Sequence, residues 1–381
     1  MTPKLLKNTL LAVLFLSLPL RAADFSTWLA AMQARKIEVS AGLWDLSTGK
    51  LLAGHQTDLA LIPASTTKVV STYAMLKTWK PDAVFDTEIF GDLQEGVVQG
   101  DLVIKGHGDP SLVSERIWLL AQDLKGKGLK RIKGRIRSDQ SAFDAQLYGI
   151  GWENTSSRNT PAILPLSVNF NRANGRLLQN PDTHAIEVIT GIFREAGIVI
   201  EEGPAGSGEL RRIGGTSSAP IRRLVQDVNK YSNNFMVEML VKSFGEGTWP
   251  KGIGRIQGFY QSMLGLGADK IAITDGSGLS KDNRLSARTL AIVLRSAWHD
   301  FEVGPEFVDS LKVIGGEPWQ LRTKYPNLNR RIRCKTGHLQ NVVSVCGYMQ
   351  RMDGKLRVFA IILNGEASDP DIWDLVSHWA N

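Results

Sequence analysis

Residues 63–76, PASTTKVVSTYAML, constrain the chain more than any other stretch. A proline and several small or hydroxyl-bearing residues lead into an apolar run, which predicts a buried helix that begins near Ser65. In such a helix Ser65 and Lys68 lie on one face, so an amine stands beside a hydroxyl. A serine hydroxyl becomes a good nucleophile when a base takes its proton, and a desolvated lysine can be that base. A capping serine with a solvated lysine is the alternative, because Ser-x-x-Lys also occurs by chance.

Two further motifs follow in chain order. Ser232 and Asn234 form a Ser-x-Asn triplet before a second apolar helical run, and Lys335-Thr336-Gly337 precedes a strand-like segment, residues 342–348. Ser-x-x-Lys, Ser-x-Asn and Lys-Thr-Gly in this order are the motif set of penicillin-binding proteins and serine β-lactamases. Each motif is unspecific alone, but the three together favour a nucleophilic serine.

Three more segments resemble the D-alanyl-D-alanine carboxypeptidase/endopeptidase family, the low-molecular-mass class C penicillin-binding proteins of the penicillin-binding protein 4 type. They are residues 101–112 (DLVIKGHGDPSL), 166–171 (LSVNFN) and 275–280 (DGSGLS). The resemblance covers nearly the whole chain after its first forty residues. It implies an α/β (α+β) catalytic domain of the serine β-lactamase/DD-peptidase type, a sheet flanked by helices, with an inserted β-rich domain.

Residues 1–23 are typical of an export signal. Lys4 and Lys7 form a basic start, an apolar stretch follows, and Ala22 and Ala23 offer small residues for cleavage. The apolar stretch is too short to span a bilayer, and no later run is long and apolar enough to do so. We therefore expect a periplasmic protein without a transmembrane anchor, whose peripheral association with the wall or membrane stays open.

The pattern of predicted strands and turns along the sequence predicts the domain boundaries. Residues 81–212 show short alternating strands separated by Gly- and Asp-rich turns, which is typical of a separate β-rich unit. Residues 24–80 and 213–381 carry the three motifs and would form one catalytic domain around that insertion. In the resembled family the insertion is larger, so part of it is expected to be reduced or missing here.

The resemblance implies a role for each catalytic residue. Ser65 would be the nucleophile that accepts the acyl group, and Lys68 would be the base for acylation. Ser232 would relay a proton between a lysine and the leaving amine. For the Ser-Asn-Asn run that begins at Ser232, a helix cap is the alternative interpretation.

The resemblance also implies the substrate-binding residues. Asn234 would hydrogen-bond the substrate amide, while Lys335 and Thr336 would bind the terminal carboxylate. Gly337 would let the substrate backbone approach the strand closely. The oxyanion hole would use the backbone N–H groups of the nucleophile and of His338, where the family usually has a small hydroxyl residue. The His338 side chain is expected to form a wall of the pocket.

Two residues are candidates for specificity. Asp139 matches the position from which the inserted domain of the family reaches the active site, and its carboxylate could pair with the side-chain amine of a diamino acid. A structural turn aspartate is the equally weighted alternative. Lys281 stands where the family commonly has arginine, so the charge is kept but the bidentate fork is lost.

The two cysteines, Cys334 and Cys346, flank the predicted hairpin symmetrically. With a turn near residue 340, Lys335 would face Val345. Cross-strand cysteines in an oxidising compartment can form a disulfide. Two buried free thiols are the alternative, and the sequence leaves both open.

These observations favour a serine DD-peptidase of peptidoglycan, which removes terminal D-alanine, cleaves cross-links between D-alanine and a diamino acid, or does both. A β-lactamase or esterase on the same scaffold and a non-catalytic wall-binding protein remain as alternatives. The sequence holds no metal-binding His-Glu-x-x-His and no phosphate loop, so no metal or cofactor is expected. The formal net charge is +7 without a basic-aromatic array, so nucleic acid is not an expected partner. The expected partners are peptide stems of peptidoglycan and, as inhibitors, β-lactam antibiotics.

Overall fold

The structure is a computed structural model that describes residues 24–152, 160–204, 209–316 and 324–381. The expected export signal, residues 1–23, lies outside the described residues. Within the described part of the chain, no helix has the length and apolar character needed to cross a membrane.

A six-stranded antiparallel sheet forms the centre of the molecule. In spatial order its strands are β13 (Lys312–Val313), β14 (Ile332–Leu339), β15 (Val342–Gln350), β16 (Leu356–Asn364), β1 (Glu38–Asp45) and β2 (Leu51–His55). Strands β15 and β16 are almost continuously buried, because strands pair with both of their edges and helices cover both faces of the sheet. The short β13 pairs with only the first part of β14, at Arg333 and Cys334.

Helices pack against both faces of this sheet. Helices α1 (Phe25–Ala34) and α10 (Asp369–Ala380) cover one face, and α8 (Ala287–His299) covers the other. On the α8 side, α2 (Thr67–Trp79) packs against α8. Four further helices pack against α2: α5 (Ile221–Tyr231), α6 (Asn234–Phe244), α7 (Trp249–Leu264) and α9 (Gly304–Ser310). The predicted α/β architecture, a sheet flanked by helices, is confirmed.

Helix α2 is the buried helix that residues 63–76 predict. Every residue from Thr67 to Leu76 is buried, and α5, α6, α7 and α8 all pack against this helix. Its buried hydroxyls find acceptors: Oγ1 of Thr72 donates to the carbonyl of Lys68 at 2.6 Å, and Oγ of Ser71 donates to the carbonyl of Gly276 at 2.9 Å. Buried polar groups need such partners, and the bond from Ser71 also ties α2 to the segment that contains Gly276.

Between α2 and α5 the chain forms the smaller, β-rich part of the molecule. One sheet consists of β3 (Asp86–Gly91), β6 (Leu102–Gly106), β8 (Ile136–Asp139) and β12 (Arg211–Ser217), and a second consists of β4 (Leu93–Gln94), β5 (Val97–Val98), β7 (Arg131–Ile132) and β11 (Val199–Ile200). Helices α3 (Ser114–Gly126) and α4 (Pro181–Glu195) and the short hairpin of β9 (Arg172–Ala173) and β10 (Arg176–Leu177) complete it. A separate apolar core lies between these elements.

For the end of this part we propose a position later than the predicted residue 212. Strand β12 pairs with β3 from Arg211 to Ser217, so its whole length belongs to a sheet of the insertion. Helix α5, which packs on α2, begins only at Ile221. We infer that the inserted domain extends to Ser217 and that the catalytic domain resumes with α5.

The hairpin of β14 and β15 differs from the predicted register by one residue. Its turn consists of two residues, Leu339 pairs with Val342, and Lys335 therefore faces Cys346 instead of Val345. Because side chains alternate between the faces of a strand, this shift places the two cysteines on opposite faces of the sheet. Cys334 lies in one core and Cys346 in the other, both as free thiols.

Candidate active site

The candidate nucleophile lies on a single 3-10 turn, Ala64–Thr66, that leads into α2. Its neighbours Ala64 and Thr66 are buried, whereas Ser65 is partly exposed. Oγ1 of Thr66 donates to the carbonyl of Pro63 at 2.7 Å, which closes the turn. The serine hydroxyl is thus presented to solvent by a turn whose flanks are fixed in the core.

Lys68 lies one turn further along and is completely buried. Its Nζ lies 2.9 Å from Oγ of Ser65 and donates to Oδ1 of Asn234 and to the carbonyl of Ser277, both at 2.6 Å. Burial lowers the pKa of Lys68 to about 7, against the opposing effect of the nearby carboxylates of Asp275 and Glu238. At neutral pH a large fraction of this amine can therefore accept a proton.

The Ser-x-Asn triplet forms the connection between α5 and α6. Ser232 ends α5 in the left-handed conformation, at φ 55°, and Asn234 begins α6. The residue between them takes the capping role, because Oδ1 of Asn233 accepts from the backbone N–H of Met236 at 3.1 Å. This leaves the side chains of Ser232 and Asn234 to interact with the site, where each contacts a buried lysine.

Lys335 is the second buried lysine of the site. Its Nζ donates to Oγ of Ser232 at 2.9 Å and to the carbonyl of Thr336 at 2.7 Å. Burial, followed by the neighbouring charges of Lys68 and Lys312, lowers the pKa of Lys335 well below its usual range. Strand β14 and the connection that holds Ser232 therefore meet at this amine.

Gly337 lets strand β14 lie against the turn of the nucleophile. A β-carbon on Gly337 would lie 2.8 Å from the backbone nitrogen of Ser65 and 3.0 Å from the carbonyl oxygen of Pro63. Across the strand pair, Oγ of Ser344 donates to that same carbonyl at 2.6 Å. Any larger residue at position 337 would push the strand away from the backbone N–H of the nucleophile.

Thr336 and His338 lie on the face of β14 opposite to the face that carries Lys335 and Gly337. Thr336 is half-buried opposite Val345. His338 is exposed, and its Nε2 lies 2.6 Å from Oδ1 of Asp369 at the start of α10. The imidazole is thus engaged with α10, and only the backbone of His338 lies in the strand beside Gly337.

The two specificity candidates do not contact these residues. Asp139 lies at the end of β8, where it accepts from the backbone N–H of Ser141 at 2.8 Å and lies 3.8 Å from Nζ of Lys105. Hydrogen bonds from Ser141 hold the pKa of Asp139 below its usual range. Lys281 is partly exposed and directly follows residues 275–280, the glycine-rich loop, and its carbonyl accepts from Arg284 at 2.5 Å.

Two buried carboxylates near Lys68 are not among the site residues that the sequence predicts. Glu238 and Asp275 are both fully buried. Glu238 is an acidic residue inside the apolar run of α6, which is an anomaly that the sequence alone displays. Asp275 belongs to the DGSGLS segment, and Nε1 of Trp152 donates to it at 2.9 Å.

Comparisons with known proteins by family model, by sequence and by structure agree on the type of protein that this chain resembles. A family model described as the D-Ala-D-Ala carboxypeptidase 3 (S13) family matches residues 29–188 and 171–381. A D-alanyl-D-alanine carboxypeptidase from an Actinomadura species is 25% identical over 423 residues, covering 85% of this chain and 77% of that protein. The crystal structure of penicillin-binding protein 4 from Haemophilus influenzae has a TM-score of 0.77 at 19% identity, covering 92% of this chain and 98% of that chain. A predatory endopeptidase from Bdellovibrio bacteriovorus, acylated by penicillin G and bound to an immunity protein, has a TM-score of 0.58 at 16% identity, covering 90% of each chain.

Proposed function

Since the chain belongs to the D-Ala-D-Ala carboxypeptidase 3 (S13) family and is a serine DD-peptidase of that type, we propose that Ser65 is its nucleophile and Lys68 the base. The observation that carries this proposal is the contact of 2.9 Å between Nζ of Lys68 and Oγ of Ser65. The amine is buried, and its pKa of about 7 suits a group that must take a proton at neutral pH.

Acylation would begin when Lys68 takes the proton of Ser65 and Oγ attacks the carbonyl of the bond between two D-alanine residues. The carbonyl oxygen becomes an oxyanion, for which the backbone N–H groups of Ser65 and His338 are the proposed donors. Gly337 supports this geometry because it lets the strand approach the backbone nitrogen of Ser65.

Collapse of the intermediate needs a proton on the leaving amine. We assign this relay to Ser232, whose Oγ lies 2.9 Å from Nζ of Lys335. Asn234, on the same connection, contacts Lys68 and would hydrogen-bond the substrate amide. The proton that Lys68 took from Ser65 would pass through Ser232 to the leaving amine, which returns Lys68 to its neutral form. The neutral Lys68 can then activate a water molecule that hydrolyses the acyl-enzyme.

The terminal carboxylate of the substrate is assigned to Lys335 and Thr336. Among the residues that the structure describes, no acidic side chain forms an ion pair with Lys335. Burial lowers the pKa of this lysine, and an incoming carboxylate would favour its ammonium form and pair with it.

We also propose that the enzyme acts in the periplasm, that it trims terminal D-alanine and cuts cross-links, and that β-lactams acylate Ser65. The relatives support the separate parts: one is named a carboxypeptidase, and another is an endopeptidase whose structure holds penicillin G as an acyl group. Both activities share the same acyl half of the substrate and differ in the leaving amine.

Mass spectrometry of muropeptides tests this proposal. The wild-type protein should remove one D-alanine from pentapeptide monomers and should convert cross-linked dimers to monomers, whereas Ser65→Ala should do neither. Intact substrates after incubation with the folded wild-type protein would contradict the proposed function. Continuous turnover of penicillin, in place of a long-lived adduct, would favour the β-lactamase alternative.

A further inference from the structure

Glu238 lies in α6 and has no role in the proposed steps of acylation and deacylation. It lies one helical turn after Asn234 and is fully buried. An ionised carboxylate is costly to bury without partners, so its hydrogen bonds indicate what it does. Oε1 of Glu238 accepts from the backbone N–H of Ser277 at 2.6 Å, and Oε2 accepts from Nε1 of Trp249 at 2.8 Å. Two N–H donors on two different oxygens suit a carboxylate that acts only as an acceptor.

The first of these bonds fixes the loop that contacts Lys68. Both ends of the peptide unit between Gly276 and Ser277 are held: its N–H donates to Glu238, and its carbonyl accepts from Oγ of Ser71 at 2.9 Å. The next carbonyl along the chain, that of Ser277, accepts from Nζ of Lys68 at 2.6 Å. A shift of this peptide would therefore move one of the three oxygen atoms that orient the amine.

We propose that Glu238 is a positioning residue for Lys68, which holds the Ser277 carbonyl on the amine and supplies a buried negative charge behind it. The proposal rests on the proposed function, because it takes Lys68 as the base for acylation. Glu238 does not contact Ser65 or the predicted position of the substrate, so it acts through the loop and through its charge.

The charge of Glu238 acts on Lys68 together with the charges of two other groups. The charged groups that face Lys68 are Glu238 from α6, Asp275 from the glycine-rich loop and Lys335 from β14. Asp275 accepts from the backbone N–H groups of Gly278 and Ser280, both at 2.8 Å, and from Trp152 and Asn283. Its charge is thus shared among more donors than that of Glu238.

Burial, with the charge of Asp275 nearby, raises the pKa of Glu238, and burial lowers the pKa of Lys68, so the two groups titrate closer together than free side chains would. A neighbouring carboxylate favours the ammonium form of Lys68 and raises its pKa. Removal of that charge lowers the pKa of Lys68, so that the neutral amine persists to lower pH. The acid limb of the acylation rate reports these coupled titrations as a group.

Glu238→Gln and Glu238→Asp separate the two parts of the proposal. The glutamine keeps the size of the side chain but removes the charge and places an N–H donor against an N–H donor. We expect the rate constant for acylation by benzylpenicillin to fall roughly 10- to 100-fold and its acid limb to move to lower pH by about one unit. The aspartate keeps the charge but does not reach Ser277, so the rate should fall while the acid limb does not move to lower pH.

Ser71→Ala is the matched control on the same peptide. It removes the hydroxyl that holds the Gly276 carbonyl and leaves every charge in place, so the rate should fall roughly fivefold with an unchanged acid limb. If Glu238→Gln does not fold, as judged by circular dichroism, Ser71→Ala still tests the positioning role.

Wild-type rates in Ser71→Ala and Glu238→Asp would overturn positioning through the loop, and an unmoved acid limb in folded Glu238→Gln would overturn the role of the charge. A wild-type protein that benzylpenicillin does not acylate would instead contradict the proposed function, before any variant is compared.

Discussion

The two buried lysines of the site lie in opposite electrostatic surroundings. Lys68, on the helix side, has two buried carboxylates nearby, Asp275 and Glu238, and three oxygen atoms around its amine. Among the described residues, the amine of Lys335, on the strand side, donates hydrogen bonds to the hydroxyl of Ser232 and to the carbonyl of Thr336. Burial lowers the pKa of Lys68 to about 7 against the effect of those carboxylates, and burial together with the charge of Lys68 lowers the pKa of Lys335 well below its usual range.

This difference indicates how one pocket can hold two lysines with different tasks. The protein itself supplies the counter-charges of Lys68, while burial lowers the pKa of that amine to about 7, so the proposed base needs no charge from the substrate. Among the described residues no carboxylate pairs with Lys335, so the substrate would supply its counter-charge. The first lysine should then affect the rate of acylation, and the second should affect recognition of the terminal carboxylate.

The largest expected effect is that of Lys68→Ala. Without the base, acylation of Ser65 by benzylpenicillin should slow by about 10²–10⁴-fold. Stopped-flow or quenched-flow measurement with intact-mass detection gives this rate constant. Thermal unfolding must accompany it, because the variant leaves Glu238 and Asp275 without the nearby amine. Near-normal acylation in a folded variant would show that another group is the base.

A substrate pair tests the strand side of the comparison. Lys335→Ala should lower kcat/KM for a peptide that ends in a D-alanine carboxylate roughly 30- to 4,000-fold. This factor corresponds to a loss of about 2–5 kcal/mol of transition-state stabilisation. For the same peptide with a terminal carboxamide, the wild type should already be slow, and the substitution should cost much less. Equal losses on the carboxylate and the carboxamide would show that Lys335 acts in the chemical step and would remove the contrast between the two lysines.

A substitution at Asp139 is expected to have a smaller effect than the substitutions of the two lysines. If this carboxylate pairs with the side-chain amine of the peptide stem, Asp139→Asn should slow cleavage of such stems by roughly five- to 150-fold, or about 1–3 kcal/mol. Acylation by benzylpenicillin, which lacks that amine, should be nearly unchanged. Equal losses on stem and penicillin would identify Asp139 as a turn residue, a role that its bond from Ser141 would also explain.

The sequence predicts the local surroundings of the motifs better than the buried network between them. A proline, hydroxyl residues and an apolar run predict α2, because helix start signals and periodicity are local. The network of Glu238, Asp275 and Ser277 forms only when α6 and the glycine-rich loop meet behind α2, and no local pattern encodes that meeting. The signal that was available is the acidic residue inside the apolar run of α6.

The hairpin of the Lys-Thr-Gly motif shows a different limit. Both strands follow from their composition, but their register depends on whether the turn has two or three residues. The two-residue turn pairs Lys335 with Cys346, and this single-residue shift separates the cysteines. The boundary of the insertion is a similar case, because β12 is recognised as part of it only through pairing with β3.

Intact-mass analysis after incubation with benzylpenicillin tests the central claim most directly. The account predicts one adduct on the wild-type protein, which peptide mapping places on the peptide that contains Ser65, and no adduct on a folded Ser65→Ala variant. An adduct that persists in Ser65→Ala, or one that maps to another peptide, would contradict the assignment of Ser65 as the nucleophile that Lys68 activates.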